Sequence, residues 1–80
     1  MDSIEKTVID ILKKYTLNPS VWDQYNASFN LTKDLKINSA RVVDIILDIE
    51  DAYDISISNA EIEQTRSVGQ MIALIEKKTS

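Results

Sequence analysis

Ser39 is the residue of this chain whose type and position best suit chemistry. It lies in the run Asp34–Ala40, where a polar loop gives way to an apolar segment that contains many acids. The first turn of a helix presents backbone N–H donors and a partial positive charge, and both favour an anion. A hydroxyl at this point can therefore carry a phosphate-linked group, and the sequence predicts an attachment site at Ser39.

Few other residues are suited to catalysis. The chain contains no cysteine and no histidine, so it lacks thiolate metal ligands and the commonest general base and near-neutral pH switch. It has no glycine-rich phosphate loop, and its carboxylate pairs fit solvated helix faces. We therefore expect a carrier rather than an enzyme, with no catalytic residue and no metal site.

Composition indicates one small globular domain, over residues 1–80. Hydrophobic residues make up 44% of the chain and charged residues 28%, which is ordinary for a folded protein. No apolar run approaches the roughly 20 residues that span a bilayer, and the N-terminal residues do not resemble a signal peptide. We expect a soluble, cytoplasmic protein without a membrane span.

The net charge of −4 is unevenly distributed. Residues 40–63 hold seven acidic residues and one basic residue, Arg41, whereas the rest of the chain holds six acidic and eight basic residues. A concentrated acidic face repels nucleic acid and attracts basic protein surfaces. The alternative is a solvated helix face that serves only solubility. Because the acids flank Ser39, we favour a docking role and expect no nucleic-acid binding.

Apolar residues at helical spacing predict four helices, over residues 3–16, 39–53, 59–64 and 67–78. Three are long, the one at 59–64 is short, and residues 17–37 form a long loop between the first two. This order predicts an all-α fold, a small four-helix bundle. The candidate caps are Asp2 with Glu5, Asn38, Ser58 or Asn59, and Ser67 with Gln70, while Asn18 before Pro19 ends the first helix.

The predicted core is built from one apolar stripe on each helix. In chain order, the inward residues are Ile4, Val8, Ile11, Leu12 and Tyr15; Val42, Ile45, Ile46, Ile49 and Tyr53; Ile62; and Val68, Met71, Ile72 and Ile75. The long loop is anchored by Val21, Trp22, Phe29, Leu31, Leu35 and Ile37. We expect Trp22 and Phe29 to cover the edge of the core rather than to bind a ligand.

A second apolar set on the second helix lies on a different face from the buried stripe. Ala40, Val43 and Leu47 lie at i, i+3 and i+7, beside acids at steps of four and three: Asp44, Asp48 and Asp51. An apolar contact with a charged margin suits a transient interface. The alternative is that the apolar residues close the bundle against the long loop.

These residues carry a family resemblance. Leu31, Asp34-Leu35 and Asn38-Ser39-Ala40 resemble the attachment motif of acyl carrier proteins, in which Asp-Leu-Gly-x-Asp-Ser-Leu follows an aromatic or aliphatic residue. The recognition helix of that family carries acidic residues, and the matching positions here are Asp44, Glu50, Asp51 and Asp54. The segment that follows that helix has the pattern aromatic-Asp-x-x-Ile, which Tyr53–Ile57 resembles.

The resemblance implies that Ser39 carries a covalent 4′-phosphopantetheine arm, on whose thiol acyl intermediates ride as thioesters. It implies a monomer of fatty-acid, lipid or polyketide biosynthesis. The expected partners are a phosphopantetheinyl transferase and enzymes of the ketosynthase or acyltransferase type with basic docking surfaces. The residues expected to contact them are Ala40, Val43, Asp44, Leu47, Asp48, Glu50, Asp51 and Asp54.

The chain departs from the family pattern around the attachment residue. Asn38 and Ala40 replace the usual Asp and Leu, Lys36 replaces the loop Gly, and Arg41 stands at a commonly acidic position. We therefore expect a specialised carrier with a dedicated set of partners. Two alternatives stay open: an unmodified helical interaction module, and a peptidyl or D-alanyl carrier loaded by an adenylating enzyme.

Overall fold

The chain folds as an all-α bundle, as predicted. The computed structural model describes residues 3–16, 19–26 and 28–79. Its α-helices are α1 (Ser3–Tyr15), α2 (Val42–Tyr53), the short α3 (Asn59–Gln64) and α4 (Val68–Thr79). Within the described residues, the β pairing amounts to one isolated antiparallel bridge, between Asn30 and Ser67. The predicted caps or stops at Asp2 and Asn18 lie outside the described ranges.

The core lies where α1 packs against α2 and α4. Every residue predicted to face inward is either buried or packed against the buried cluster. The buried members are Val8, Ile11, Leu12, Leu31, Leu35, Ile37, Ile45, Ile46, Ile49, Ile57, Val68, Met71 and Ile75. Trp22 and Phe29 are half-buried and cover this cluster, as expected. A chain of 80 residues builds only a small core, so nearly every apolar stripe has to contribute to its stability.

The described part of the long loop contains a 3₁₀ helix at Pro19–Gln24 and several turns held by hydrogen bonds. The side chain of Asn30 accepts hydrogen bonds from the backbone N–H groups of Thr32 (2.9 Å) and Lys33 (3.0 Å), which bends the chain into a turn. The turn is joined to the segment between α3 and α4, because the Leu31 N–H donates to the Arg66 carbonyl at 2.9 Å. The loop therefore forms part of the wall around the start of α2.

The second helix begins differently from the prediction of a single helix over 39–53. Ser39–Arg41 form a 3₁₀ turn, and the α-helix starts at Val42. Asn38 caps the turn as predicted, because its side chain accepts from the Ala40 N–H at 2.9 Å. The helix ends at Tyr53, and the next residue, Asp54, has a left-handed backbone (φ 54°, ψ 50°). This turn lets the Ile55 N–H, like that of Asp54, donate to the Glu50 carbonyl.

Reciprocal caps open the last two helices. Ser58, not Asn59, caps α3: the Glu61 N–H donates to the Ser58 hydroxyl, and the Glu61 carboxylate accepts from the Ser58 N–H. At α4, the predicted pair of Ser67 and Gln70 exchanges the same two hydrogen bonds. None of the described helices is long and apolar enough to cross a bilayer.

Candidate functional site

Ser39 is the first residue of the 3₁₀ turn and is exposed to solvent. Its position is set locally, because the Asn38 cap on one side and the first turn of α2 on the other fix the backbone around it. Within the described residues, its hydroxyl has no hydrogen-bond partner. The hydroxyl oxygen of Ser39 is therefore accessible, and the attachment at this residue stays a prediction.

The backbone donors next to Ser39 are less available than predicted. The Ala40 N–H donates to the Asn38 side chain, the Arg41 N–H to the Asn38 carbonyl at 2.8 Å, and the Val42 N–H to the Ser39 carbonyl. The expectation of free N–H donors for an anion is therefore wrong for these three amides. The reason is the 3₁₀ turn. In such a turn an N–H group donates to the carbonyl three residues earlier, so amides that have no partner in the first turn of an α-helix are hydrogen-bonded here.

A groove of about 500 Å³ lies beside Ser39. It is lined from the start of α2 by Ser39, Val42 and Val43, and from the other elements by Asn30, Leu31, Thr32, Lys33, Ile62, Glu63, Thr65 and Arg66. The lining combines apolar side chains with the charged side chains of Lys33, Glu63 and Arg66. Ser39 is therefore exposed to solvent and also lines this groove.

Four basic residues lie close to Ser39 in the sequence or around this groove. Lys33 and Arg66 line the groove, and Arg41 forms an ion pair with Asp44 at 3.2 Å. Lys36 is exposed and adopts a φ of 60°, the left-handed region that the family's usual glycine adopts without cost. Basic side chains therefore surround Ser39 in the sequence and along the groove, although the chain as a whole has a net charge of −4.

The outward face of α2 is apolar and exposed. Val43 and Leu47 each expose 56% of their surface, and Ala40 is exposed beside Ser39. The alternative in which Val43 and Leu47 close the bundle against the long loop is therefore wrong. An exposed apolar strip that begins at Ser39 is available for contact with another protein.

Asp48 is partly exposed, and its carboxylate is engaged by side chains at the end of α1. Its carboxylate accepts a hydrogen bond from the Tyr15 hydroxyl at 2.7 Å and forms an ion pair with the Lys14 ammonium at 3.1 Å. The Tyr15 hydrogen bond, with Lys14, lowers the pKa of the Asp48 carboxyl below its ordinary value. Asp48 thus ties α2 to the end of α1.

Glu50 also has an internal partner, because its carboxylate accepts the Ile57 N–H at 2.7 Å and so fixes the segment that leads to α3. Of the other predicted acids, Asp51 and Asp54 are exposed, and Asp44 is half-exposed with Arg41 as its partner. The eight predicted contact residues therefore divide into six on the surface and two, Asp48 and Glu50, whose carboxylates have structural contacts.

Sequence reasoning missed Lys33 and Arg66 as neighbours of the site. Lys33 was visible only as one basic residue of a polar loop, and Arg66 lies 27 positions beyond Ser39. No periodicity joins them, since the hydrogen bond from Leu31 to Arg66 brings their segments together. The groove likewise depends on this contact.

Known proteins resemble the chain along most of its length. A family model described as a phosphopantetheine attachment site matches residues 26–75. The acyl carrier protein of Amoebophilus asiaticus is 32% identical over 79 residues, which cover 98% of this chain and 95% of the relative. The mitochondrial acyl carrier protein of Saccharomyces cerevisiae is 30% identical over 76 residues, covering 92% of this chain and 61% of the relative.

A third relative has similar identity over a shorter stretch. The acyl carrier protein of Thermotoga maritima is 31% identical over 55 residues, which cover 69% of this chain and 68% of the relative. The family model includes Ser39, the turn that carries Lys33, and most of α4. The fold agrees with these matches, since it is a bundle of four helices with an exposed serine just before the second. On the family model and the relatives together, this chain belongs to the acyl carrier protein family.

Proposed function

We propose that Ser39 is the residue to which the prosthetic group of this carrier is attached. As a member of its family, the protein carries acyl groups on a covalent 4′-phosphopantetheine. The observation that supports Ser39 most strongly is its exposed hydroxyl, which has no partner among the described residues and stands at the edge of the groove. An arm attached there leaves the protein without disturbing a single core contact.

Other serines within the matched region fit this role less well. The hydroxyls of Ser58 and Ser67 cap helices, and the Ser28 hydroxyl is bonded to the Asn26 side chain. Ser56 is exposed and has no partner in the described part of the chain, but it lies away from the groove lining. Ser56 is therefore a matched control for Ser39.

The chemistry of the carrier follows from this attachment. When bound, the prosthetic group supplies a thiol at the end of a flexible arm, where acyl groups are held as thioesters. The chain itself has neither cysteine nor histidine, so its own part is to anchor the arm and to present it. We accordingly propose that the protein is not an enzyme and acts in the cytoplasm as a monomer of one domain, within fatty-acid, lipid or polyketide biosynthesis.

Modification by purified enzyme tests the attachment. The apo-protein is incubated with a phosphopantetheinyl transferase and coenzyme A, and its intact mass is measured. We expect a gain of one phosphopantetheine group for the wild type and for Ser56→Ala, and no gain for Ser39→Ala. Modification of Ser39→Ala would refute the assignment. No gain for the folded wild type would instead favour the unmodified interaction module.

We further propose that the outward face of α2 is the docking surface for partner enzymes. Val43 and Leu47 form its exposed apolar strip with Ala40, and the acids around the strip are Asp44, Asp51 and Asp54. Such a surface fits the transferase and enzymes of the ketosynthase or acyltransferase type with basic residues around an apolar patch. Asp48 and Glu50 are assigned structural roles, because their carboxylates already accept hydrogen bonds from Tyr15 and from the Ile57 backbone.

A further inference from the structure

The anionic link between Ser39 and its arm needs compensation that the local backbone does not supply. A phosphodiester on the Ser39 oxygen carries one negative charge at neutral pH. The N–H groups of Ala40, Arg41 and Val42 are bonded to Asn38 and Ser39. These three amides are therefore not available to the charge, and cationic side chains from other elements are the candidates to pair with it.

The groove beside Ser39 supplies two such groups. Lys33 comes from the turn that Asn30 organises, and Arg66 comes from the segment between α3 and α4. The backbone bond from Leu31 to Arg66 joins the two segments, so both side chains line the groove that Ser39 also lines.

Both cations are free of carboxylate partners among the described residues. The Arg66 Nε donates to the Glu63 carbonyl at 3.2 Å, which orients the guanidinium and leaves its terminal nitrogens for another acceptor. Among the residues that line the groove, Glu63 is the one acid, whereas Lys33 and Arg66 are basic. The lining therefore has a net positive charge. Arg41, in contrast, is paired with Asp44 and lies outside the lining.

We propose that Lys33 and Arg66 form a binding site for the phosphodiester of the arm and hold the beginning of the arm against the groove. The proposal rests on the attachment at Ser39. Ammonium and guanidinium groups form charge-assisted hydrogen bonds with phosphate oxygens, and a guanidinium can do so with two N–H groups at once. Because both side chains are exposed, each contact is weak enough for a partner enzyme to release the arm.

Phosphorus NMR of the modified protein tests the site. The holo-protein, verified by intact mass, is compared with its Lys33→Gln, Arg66→Gln and Arg41→Gln variants through the transverse relaxation of the phosphodiester signal. In the wild type we expect relaxation close to that of the folded body. Lys33→Gln and Arg66→Gln should each lower the ratio of held to free arm about two- to fivefold, the range for one exposed charged contact.

The control separates a specific site from general attraction. Arg41→Gln removes the same charge two residues from Ser39, yet it should leave the relaxation unchanged, and Lys33→Arg should preserve it. Apo and holo amide spectra should differ at Lys33 and Arg66 in the wild type. High salt should reduce this difference between the apo and holo spectra, because salt screens the attraction between exposed charges; the screening length is about 8 Å at physiological ionic strength and shorter above it.

Each outcome bears on one of the two proposals. A modified wild type whose phosphorus relaxes as freely as that of an unfolded chain would overturn the binding site and leave the Ser39 attachment intact. An equal effect of Arg41→Gln and Lys33→Gln would also overturn it, since the attraction would then be unspecific. A chain that is never modified would overturn the attachment and the site together.

Discussion

Replacing Lys36 by glycine should stabilise the fold. Lys36 is exposed and holds a φ of 60° in the loop before Asn38. In this left-handed region the β-carbon of an L-residue crowds the backbone, and glycine has no β-carbon. The perturbation Lys36→Gly therefore removes a backbone cost and leaves the core untouched.

The expected magnitude follows from two opposing terms. Releasing the left-handed strain contributes about 1–2 kcal/mol, whereas the greater freedom of glycine in the unfolded chain costs about 0.5–1 kcal/mol. The two terms allow a net gain of about 0–1.5 kcal/mol, and we expect the free energy of unfolding of Lys36→Gly to rise by a value near the middle of this range, about 0.5–1 kcal/mol. For a domain of this size that corresponds to an increase in Tm of about 2–8 °C.

Two control variants make the measurement decisive. Lys36→Ala keeps the β-carbon and should show little of the gain. Ser56→Gly introduces glycine at an exposed position whose φ is not positive, so it should show only the loss of about 0.5–1 kcal/mol. Denaturation in urea followed by circular dichroism gives all three values. If Lys36→Gly is destabilised as much as Ser56→Gly, the strain argument is wrong.

Three further predictions concern the cap, the acid at the end of α1 and the exposed strip. Asn38→Ala should lower the free energy of unfolding by about 0.5–2 kcal/mol in urea denaturation, whereas Asn38→Asp should retain the cap and most of the stability. Because the pKa of Asp48 is lowered in the folded state, its contribution is present above the unfolded carboxyl pKa and is lost as pH falls through the folded value. The free energy of unfolding should therefore fall less steeply with decreasing pH in Asp48→Asn than in the wild type. An unchanged slope would contradict the stabilising role of the Asp48 carboxylate. Leu47→Glu should change stability by less than about 0.5 kcal/mol, because the residue is exposed, but should lower kcat/KM of the phosphopantetheinyl transferase; equal kcat/KM for wild type and variant would argue against docking at Leu47.

Features governed by neighbouring residues were predictable from the sequence. The cap at Asn38 and the exchange between Ser67 and Gln70 depend on side chains that reach backbone groups two or three residues away. The stripe of Ile45, Ile46 and Ile49 follows from helical periodicity and is buried as expected. Local chemistry of this kind is contained in the spacing of the residues.

Features that depend on distant segments were not predictable. The contact between Tyr15 and Asp48 joins residues 33 positions apart, so Asp48 resembled its exposed neighbours in the sequence. The 3₁₀ start of α2 was also missed, because a few residues of similar propensity can form either turn. The groove beside Ser39 exists because the loop at Leu31 pairs with Arg66, and no short motif encodes that pairing.

The two apolar faces of α2 have no residue in common. Ile45, Ile46 and Ile49 lie in the core, whereas Val43 and Leu47 look outward. On the proposed docking role of the outward face, substitutions that change the choice of partner enzyme and substitutions that change the melting temperature fall at different positions of one helix. The proposed docking surface implies that two or three substitutions at outward positions can change the partner enzymes while the core residues stay the same.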